Sequence, residues 1–113
     1  MTRDELLRLR DKAGAQVSSL DDELQALFEA SRASNADDEH DPEGTTIAFE
    51  RAQLTAVLDA ARRHLRDLDL AVHHFDEGTY GVCETCGNPI PDDRMTARPS
   101  ARTCITCAST SHH

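Results

Sequence analysis

A chain of 113 residues carries 21 acidic and 12 basic side chains, no tryptophan and only four aromatic residues, so its formal net charge is −9. This charge argues against a protein that wraps a nucleic-acid backbone, because such proteins need clustered lysine and arginine. The chain has neither a run of about 18 apolar residues nor a secretory leader, which predicts a cytoplasmic protein with no membrane partner.

The acidic surplus lies entirely in the first two thirds of the chain. Residues 1–77 contain 18 acidic and 9 basic side chains, whereas residues 78–113 contain three of each and all four cysteines. This change in composition predicts two structural units with a boundary near Gly78. We expect a helical hairpin over 1–77, with an acidic tip at 35–44, and a small cysteine-containing unit with a short tail over 78–113.

Apolar residues repeat at a mean spacing of about 3.5 residues in two segments, as in a coiled-coil seam. The seam positions are Leu6, Leu9, Ala13, Val17, Leu20, Leu24 and Leu27 in the first segment, and 47, 51, 54, 58, 61, 65, 68, 72 and 75 in the second, where only Arg51 is not apolar. Thr2 with Glu5 is a candidate capping box, and Thr46 is a candidate N-cap.

The connection between the two segments is short, which predicts an antiparallel coiled-coil hairpin. Two helices cover each seam only in part, so the pattern is compatible with a monomer or a homodimer. Each helix has about 30 residues and a length of roughly 45 Å.

Five carboxylates fall within seven residues of the connection. They belong to Asp37, Asp38, Glu39, Asp41 and Glu43. A charge run in a loop is commonly only solvated, and carboxylates can also bind Mg²⁺ or Ca²⁺, although the spacing is not that of a calcium loop. The third interpretation makes these residues a partner-binding tip that enters a deep cavity with basic or metal-containing walls.

The cysteines have the spacing of a four-thiolate zinc site. Cys83 and Cys86 form one C-x2-C pair, and after 17 intervening residues Cys104 and Cys107 form the other. A tight turn within each pair can aim both thiolates at one cation, and Gly87 eases the first turn. Four thiolates leave no open coordination position, so we expect one structural zinc, no catalytic residue and no enzyme activity.

Other uses of the four cysteines fit less well. Disulfides suit secreted chains, and a redox C-x-x-C pair needs a βαβ pattern that this sequence lacks. The spacing alone does not distinguish zinc from an iron–sulfur cluster. Arg94, Arg98 and Arg102, or backbone N–H groups, are candidate hydrogen-bond partners of the sulfurs. Since a unit this small needs a metal to fold, we expect it to unfold in chelator while the hairpin survives.

The residues around the cysteines resemble the zinc finger of the DksA/TraR family. The matching stretches are Tyr80–Gly87, Ile90–Pro91, Arg94–Met95, Ala97–Pro99 and Cys104–Cys107. The resemblance implies a mainly α fold, in which an antiparallel two-helix coiled-coil hairpin is followed by a small four-cysteine (C4-type) zinc finger with a treble-clef-like shape. It also implies a bacterial transcription regulator that does not bind DNA directly.

Members of this family bind RNA polymerase and insert the hairpin into its secondary channel, with tip acids near the active-site Mg²⁺. Several act together with ppGpp. The family tip reads D-P-x-D-R-A, whereas Asp41-Pro42 is followed here by Glu43, Gly44 in place of the second Asp, and Thr46 in place of the alanine. The alternative function, from another class, is a zinc-stabilised coiled-coil adaptor or dimerisation protein.

Overall fold

Two long helices dominate the computed structural model, which describes residues 1–35 and 42–110. The described residues form four helices: α1 (Arg3–Asn35), α2 (Pro42–Glu77), α3 (Asp92–Ala97) and α4 (Ile105–Thr110). Extended pairing within these residues is limited to an isolated antiparallel bridge between Val82 and Pro89. The predicted mainly α fold is therefore confirmed.

The start of α1 has the capping box predicted from Thr2 and Glu5. The backbone N–H of Glu5 donates to Thr2 Oγ1 at 3.2 Å, and the backbone N–H of Thr2 donates to Glu5 Oε2 at 3.1 Å. The reciprocal pair satisfies backbone donors that the first turn of a helix leaves without partners.

The start of α2 lies earlier than the candidate N-cap at Thr46 predicts. The helix begins at Pro42, so Thr46 lies inside it. Proline suits the first helical turn because its φ is already helical and its missing N–H would have no partner there. Since α1 also extends to Asn35, both helices enter the predicted 35–44 connection.

The two predicted seams are the least exposed stripes of the long helices. Every seam position on α1 and α2 is buried or half-buried. The buried seam residues are Leu6, Ala13, Leu24, Leu58, Leu68 and Val72. Arg51, the polar seam position, is also half-buried, and its guanidinium lies 5.3 Å from the centre of the Phe28 ring. The coiled-coil pattern is therefore confirmed.

The described chain packs into two compact units, and the first contains Met1–Asp11 with Arg66 and the residues that follow it. Arg3 Nε lies 2.7 Å from Asp76 Oδ1, and Arg10 Nε lies 3.7 Å from Asp69 Oδ1. A step of seven residues towards the C-terminus on α1, from Arg3 to Arg10, is thus matched by a step of seven towards the N-terminus on α2, from Asp76 to Asp69. This is the pattern of antiparallel helices. The predicted boundary near Gly78 stays a prediction.

The second unit is Lys12–Leu65. Arg62 on α2 lies 3.5 Å from Asp21 on α1, and Arg51 lies over Phe28. The later residue on α1 again pairs with the earlier one on α2, so this unit is also antiparallel. The buried apolar side chains among its described residues are Ala13, Leu24 and Leu58, a narrow core typical of two helices packed along one stripe.

None of the helices in the described residues is both long enough and apolar enough to cross a membrane.

Candidate metal centre

A turn connects the end of α2 to the segment that carries the cysteines. Gly78 has φ +79° and its N–H donates to Phe75 O at 3.2 Å, while the N–H of Thr79 donates to His74 O at 2.9 Å. These two bonds form a Schellman motif, which places a left-handed residue just after the helix and therefore favours glycine there. His74 Nδ1 and Thr79 Oγ1 add a contact of 2.9 Å.

The first cysteine pair lies on a tight turn. The N–H of Gly87 donates to Cys83 O at 2.9 Å, and the N–H of Cys83 donates to Asn88 O at 2.9 Å. Gly87 has φ +77°, a conformation that costs a residue with a Cβ about 1–2 kcal/mol. The expected role of Gly87 in this turn is confirmed.

The second pair lies at the start of α4. Cys104 directly precedes the helix and Cys107 lies in its first turn, where the N–H of Ala108 donates to Cys104 O at 2.9 Å. Arg94 on α3 donates from Nε to Thr103 O at 2.9 Å, which holds the residue before Cys104 in place. The turn Cys83–Gly87, the zinc knuckle, therefore supplies two thiols, and the start of α4 supplies the other two.

The four thiols converge on one point. The Sγ atoms of Cys83, Cys86, Cys104 and Cys107 all lie within 4.8 Å of one another. The Cys86 and Cys104 sulfurs are 3.9 Å apart, close to the edge of about 3.8 Å that a tetrahedron with 2.3 Å zinc–sulfur bonds requires. The donor set and its spacing fit one structural zinc, which these four cysteines would hold with no position left for a substrate.

The close approach of the four thiols also makes their deprotonation depend on a cation. Backbone N–H groups of Cys86 and Cys104 lower the pKa of Cys83 to about 6. The neighbouring Cys104 thiol, followed by burial, raises the pKa of Cys107 to about 12. Thiols this close lose their protons together only when a cation neutralises the accumulated negative charge.

Arginine side chains and backbone N–H groups were the two kinds of hydrogen-bond partner expected for the sulfurs, and the structure gives them different roles. Backbone N–H groups, chiefly those of Cys86 and Cys104, act on the Cys83 sulfur and lower its pKa. Of the arginines, Arg94 binds the carbonyl of Thr103, and Arg102 Nε lies 4.0 Å from Glu84 Oε1. The Arg94 side chain therefore holds a loop of the finger, and the Arg102 side chain lies near a carboxylate.

Tyr80 is a structural residue that the sequence pattern did not single out. Its ring lies 5.6 Å from Phe75, and its hydroxyl donates to Pro99 O at 2.8 Å. Burial, with a smaller contribution from the charge of Glu5, raises its pKa. Tyr80 packs against two buried clusters, one formed by Leu6, Ala71 and Val72 and the other by Cys83, Ile90 and Met95. A lone aromatic residue beside a predicted metal ligand was the available clue.

The predicted acidic tip lies mostly outside the described residues. This applies to Asp37, Asp38, Glu39 and Asp41, whereas the backbone of Glu43 belongs to the first turn of α2. The assignment of these five residues to partner binding stays a prediction.

Comparisons with known proteins agree with the geometry of the finger. The model of the prokaryotic dksA/traR C4-type zinc finger matches residues 78–112. The chain is also similar to a solved structure of the transcription factor DksA2 from Pseudomonas aeruginosa, with a TM-score of 0.78 and 26% identity over 96% of this chain and 78% of that one.

Sequence relatives match shorter stretches. An uncharacterized protein of Aquifex aeolicus is 48% identical over 44 residues, which are 39% of this chain and 30% of that protein. The RNA polymerase-binding transcription factor DksA of Caulobacter vibrioides is 36% identical over 52 residues, 46% of this chain and 37% of that factor. The chain thus spans less than half the length of these relatives.

Proposed function

We propose that this chain, a DksA/TraR-family protein by its zinc finger and its fold, binds bacterial RNA polymerase and regulates transcription. The observation that carries the proposal is the similarity to DksA2 over 96% of the chain, which includes the hairpin as well as the finger. The factor from Caulobacter vibrioides, whose name states that it binds RNA polymerase, supports the same partner.

The hairpin is the part that we propose enters the secondary channel of the polymerase. Its acidic connection would come near the active-site Mg²⁺, because a cation attracts clustered carboxylates. The net charge of −9 also supports regulation without direct DNA binding, since the phosphate backbone repels such a chain.

Zinc has a structural part in this proposal. The metal closes the finger by binding four thiolates, and the finger supports the end of α2 through the side chain of Tyr80. Since the shell of sulfurs is complete, the centre offers no site for a substrate, and we propose a regulator with no enzyme activity.

A core-polymerase pull-down tests the proposal. We expect the wild-type chain to retain the polymerase and to change transcription from a sensitive promoter in a purified system, measured with and without ppGpp. The Asp41→Asn/Glu43→Gln variant should lose most of the transcriptional effect while keeping zinc content and helix content. The control is Asp22→Asn/Glu23→Gln, which removes two exposed charges from α1 and should retain the effect.

The outcomes separate the proposal from its alternative. If the chain retains no polymerase but sediments as a homodimer, the adaptor function is favoured. If the polymerase binds and both double variants regulate equally, the carboxylates of the connection are not the effector. The proposed role of the acidic tip then fails, whereas RNA polymerase stands as the partner.

A further inference from the structure

A cavity of about 290 Å³ lies beside the zinc finger, within the first unit and apart from the four cysteines. One wall comes from the last turns of α2, a second from the connection that leads to Cys83, and a third from the loop that precedes Cys104. The lining includes Ala71, Glu77, Tyr80, Val82, Glu84 and Ala101.

Much of the lining is apolar. Ala71 is buried, Tyr80 and Ala101 are half-buried, and Val82 keeps 43% of its surface exposed although it is aliphatic. Because the Tyr80 hydroxyl already donates its proton to Pro99 O, this residue adds its ring and no free O–H donor to the lining. Such a surface suits the carbon atoms of an incoming side chain.

The charged groups of the cavity have an acidic excess. Glu77 and Glu84 have side chains that are 55% and 51% exposed, so both carboxylates remain accessible. Arg102 lies 4.0 Å from Glu84, too far for a hydrogen bond, and His73 Nε2 is 3.2 Å from one oxygen of Glu77. With the histidines neutral, two negative charges stand against one positive charge.

The volume and the charge of the cavity together indicate which kind of side chain fits it. A cavity of this size is at the lower limit of pockets for small-molecule ligands and matches a single anchoring side chain of a partner protein. Arginine is among the residues that dominate such anchors, binds carboxylates through two parallel hydrogen bonds, and stacks on aromatic rings. Tryptophan or tyrosine would bring no further cation to the two carboxylates, which outnumber Arg102.

We propose that this cavity is the docking site for an arginine side chain of the polymerase, with Glu77 and Glu84 holding the guanidinium. The methylene stem of that arginine lies against Tyr80, Val82 and Ala101. The identity of the partner rests on the proposed function, whereas the preference of the cavity for arginine rests on its own lining.

The preference is tested with the zinc-loaded chain alone. N-acetyl-arginine methylamide, added to millimolar concentration, should shift the backbone amide NMR signals of Gly81, Val82 and Ala101 in a saturable way. The lysine analogue should bind more weakly, because an ammonium cannot form the bidentate pair. Equal or stronger shifts with N-acetyl-tryptophan methylamide, or no saturable shift with the arginine compound, would overturn the proposal.

Variants link the cavity to the partner. Glu77→Gln and Glu84→Gln should each weaken binding of the arginine compound about two- to fivefold, the size expected for an accessible ion pair. The double variant should weaken retention of the polymerase by a larger factor than either single variant. Glu29→Gln, which removes an exposed carboxylate from α1 in the second unit, is the matched control and should change neither measurement.

The failure of this inference differs from the failure of the proposed function. If the wild-type chain retains the polymerase and the double variant retains it equally, the docking site is wrong and the function stands. If the wild-type chain retains no polymerase, the partner is wrong, and the NMR titration still decides whether the cavity selects arginine. Unchanged zinc content and thermal midpoint of each variant show that the effect does not come from unfolding.

Discussion

The hydroxyl of Tyr80 donates a hydrogen bond of 2.8 Å to the carbonyl oxygen of Pro99, a residue 19 positions later in the chain. The ring of Tyr80 also packs on Phe75 at the end of α2. One side chain therefore contacts both the loop that leads to the second cysteine pair and the helix that precedes the first.

This position predicts a graded loss of stability at Tyr80. Tyr80→Phe removes one hydrogen bond and should lower the free energy of unfolding by about 1 kcal/mol. Tyr80→Ala also removes the ring from two clusters and should cost about 3 kcal/mol, near the lower limit for aromatic truncation because the side chain is only half-buried. Urea denaturation of the zinc-loaded chain measures both changes.

Phe49→Ala provides the control for these Tyr80 variants. Phe49 is 63% exposed on α2, so its truncation should change stability by less than about 0.5 kcal/mol. Equal losses for Tyr80→Phe and Tyr80→Ala would show that ring packing contributes nothing, which would contradict the assigned role.

Zinc removal should act on the finger and spare the second unit. Among the described residues of the finger, Cys83, Ile90 and Met95 are the buried ones, too few to fold it without the metal. In a chelator such as EDTA we expect fast hydrogen exchange for amides of 80–108, while amides around the seam of 12–65 keep their protection. Equal protection of both regions with and without zinc would contradict this expectation, and re-addition of zinc should restore the finger.

The seam and the metal cluster were predictable because each follows from a local rule. Helix periodicity assigns Leu24 and Leu58 to the same buried stripe without any knowledge of their contacts. Thiol spacing likewise predicts that Cys83 and Cys104 share a site, since each C-x2-C pair already forms half of a tetrahedron.

Contacts between distant residues were not predictable in this way. No local pattern links Tyr80 to Pro99 or Arg94 to Thr103, because the loops that bring them together take their shape from the folded finger. The start of α2 at Pro42 was missed for a different reason. Threonine is a common N-cap residue, which is why Thr46 was the candidate. Proline favours the first helical turn, however, so the helix starts earlier, at Pro42.

The ion pair between Arg3 and Asp76 predicts a dependence of stability on pH. The hydrogen bond from the Arg3 guanidinium, together with its charge, lowers the pKa of Asp76 below the ordinary value of 3.8. The folded state therefore prefers the ionised carboxylate, and its stabilisation is complete at neutral pH and lost as the pH falls from about 4 through the lowered pKa.

Asp76→Asn measures this contribution. The difference in unfolding free energy between wild type and variant should be small at pH 7, because both partners are about half exposed, and should shrink further as the pH falls through the lowered pKa of Asp76. Asp67→Asn, which removes an exposed carboxylate of α2, is the control variant. A difference that grew on acidification would have the wrong sign for this ion pair.

A single substitution, glycine to alanine, should have opposite effects in the finger and in α1. At Gly87 the φ of +77° strains any residue with a Cβ, although the added methyl group would meet nothing within 4 Å. Gly87→Ala should therefore cost about 1–2 kcal/mol and weaken zinc retention in a competition assay with a chromogenic chelator. Gly14 lies inside α1, where the added methyl group also has open space, so Gly14→Ala should stabilise the chain by up to about 1 kcal/mol and leave zinc retention unchanged.

Gly87→Asn should be milder than Gly87→Ala, because asparagine tolerates positive φ better. Equal zinc retention by wild type and Gly87→Ala would show that the knuckle adopts its turn without help from glycine.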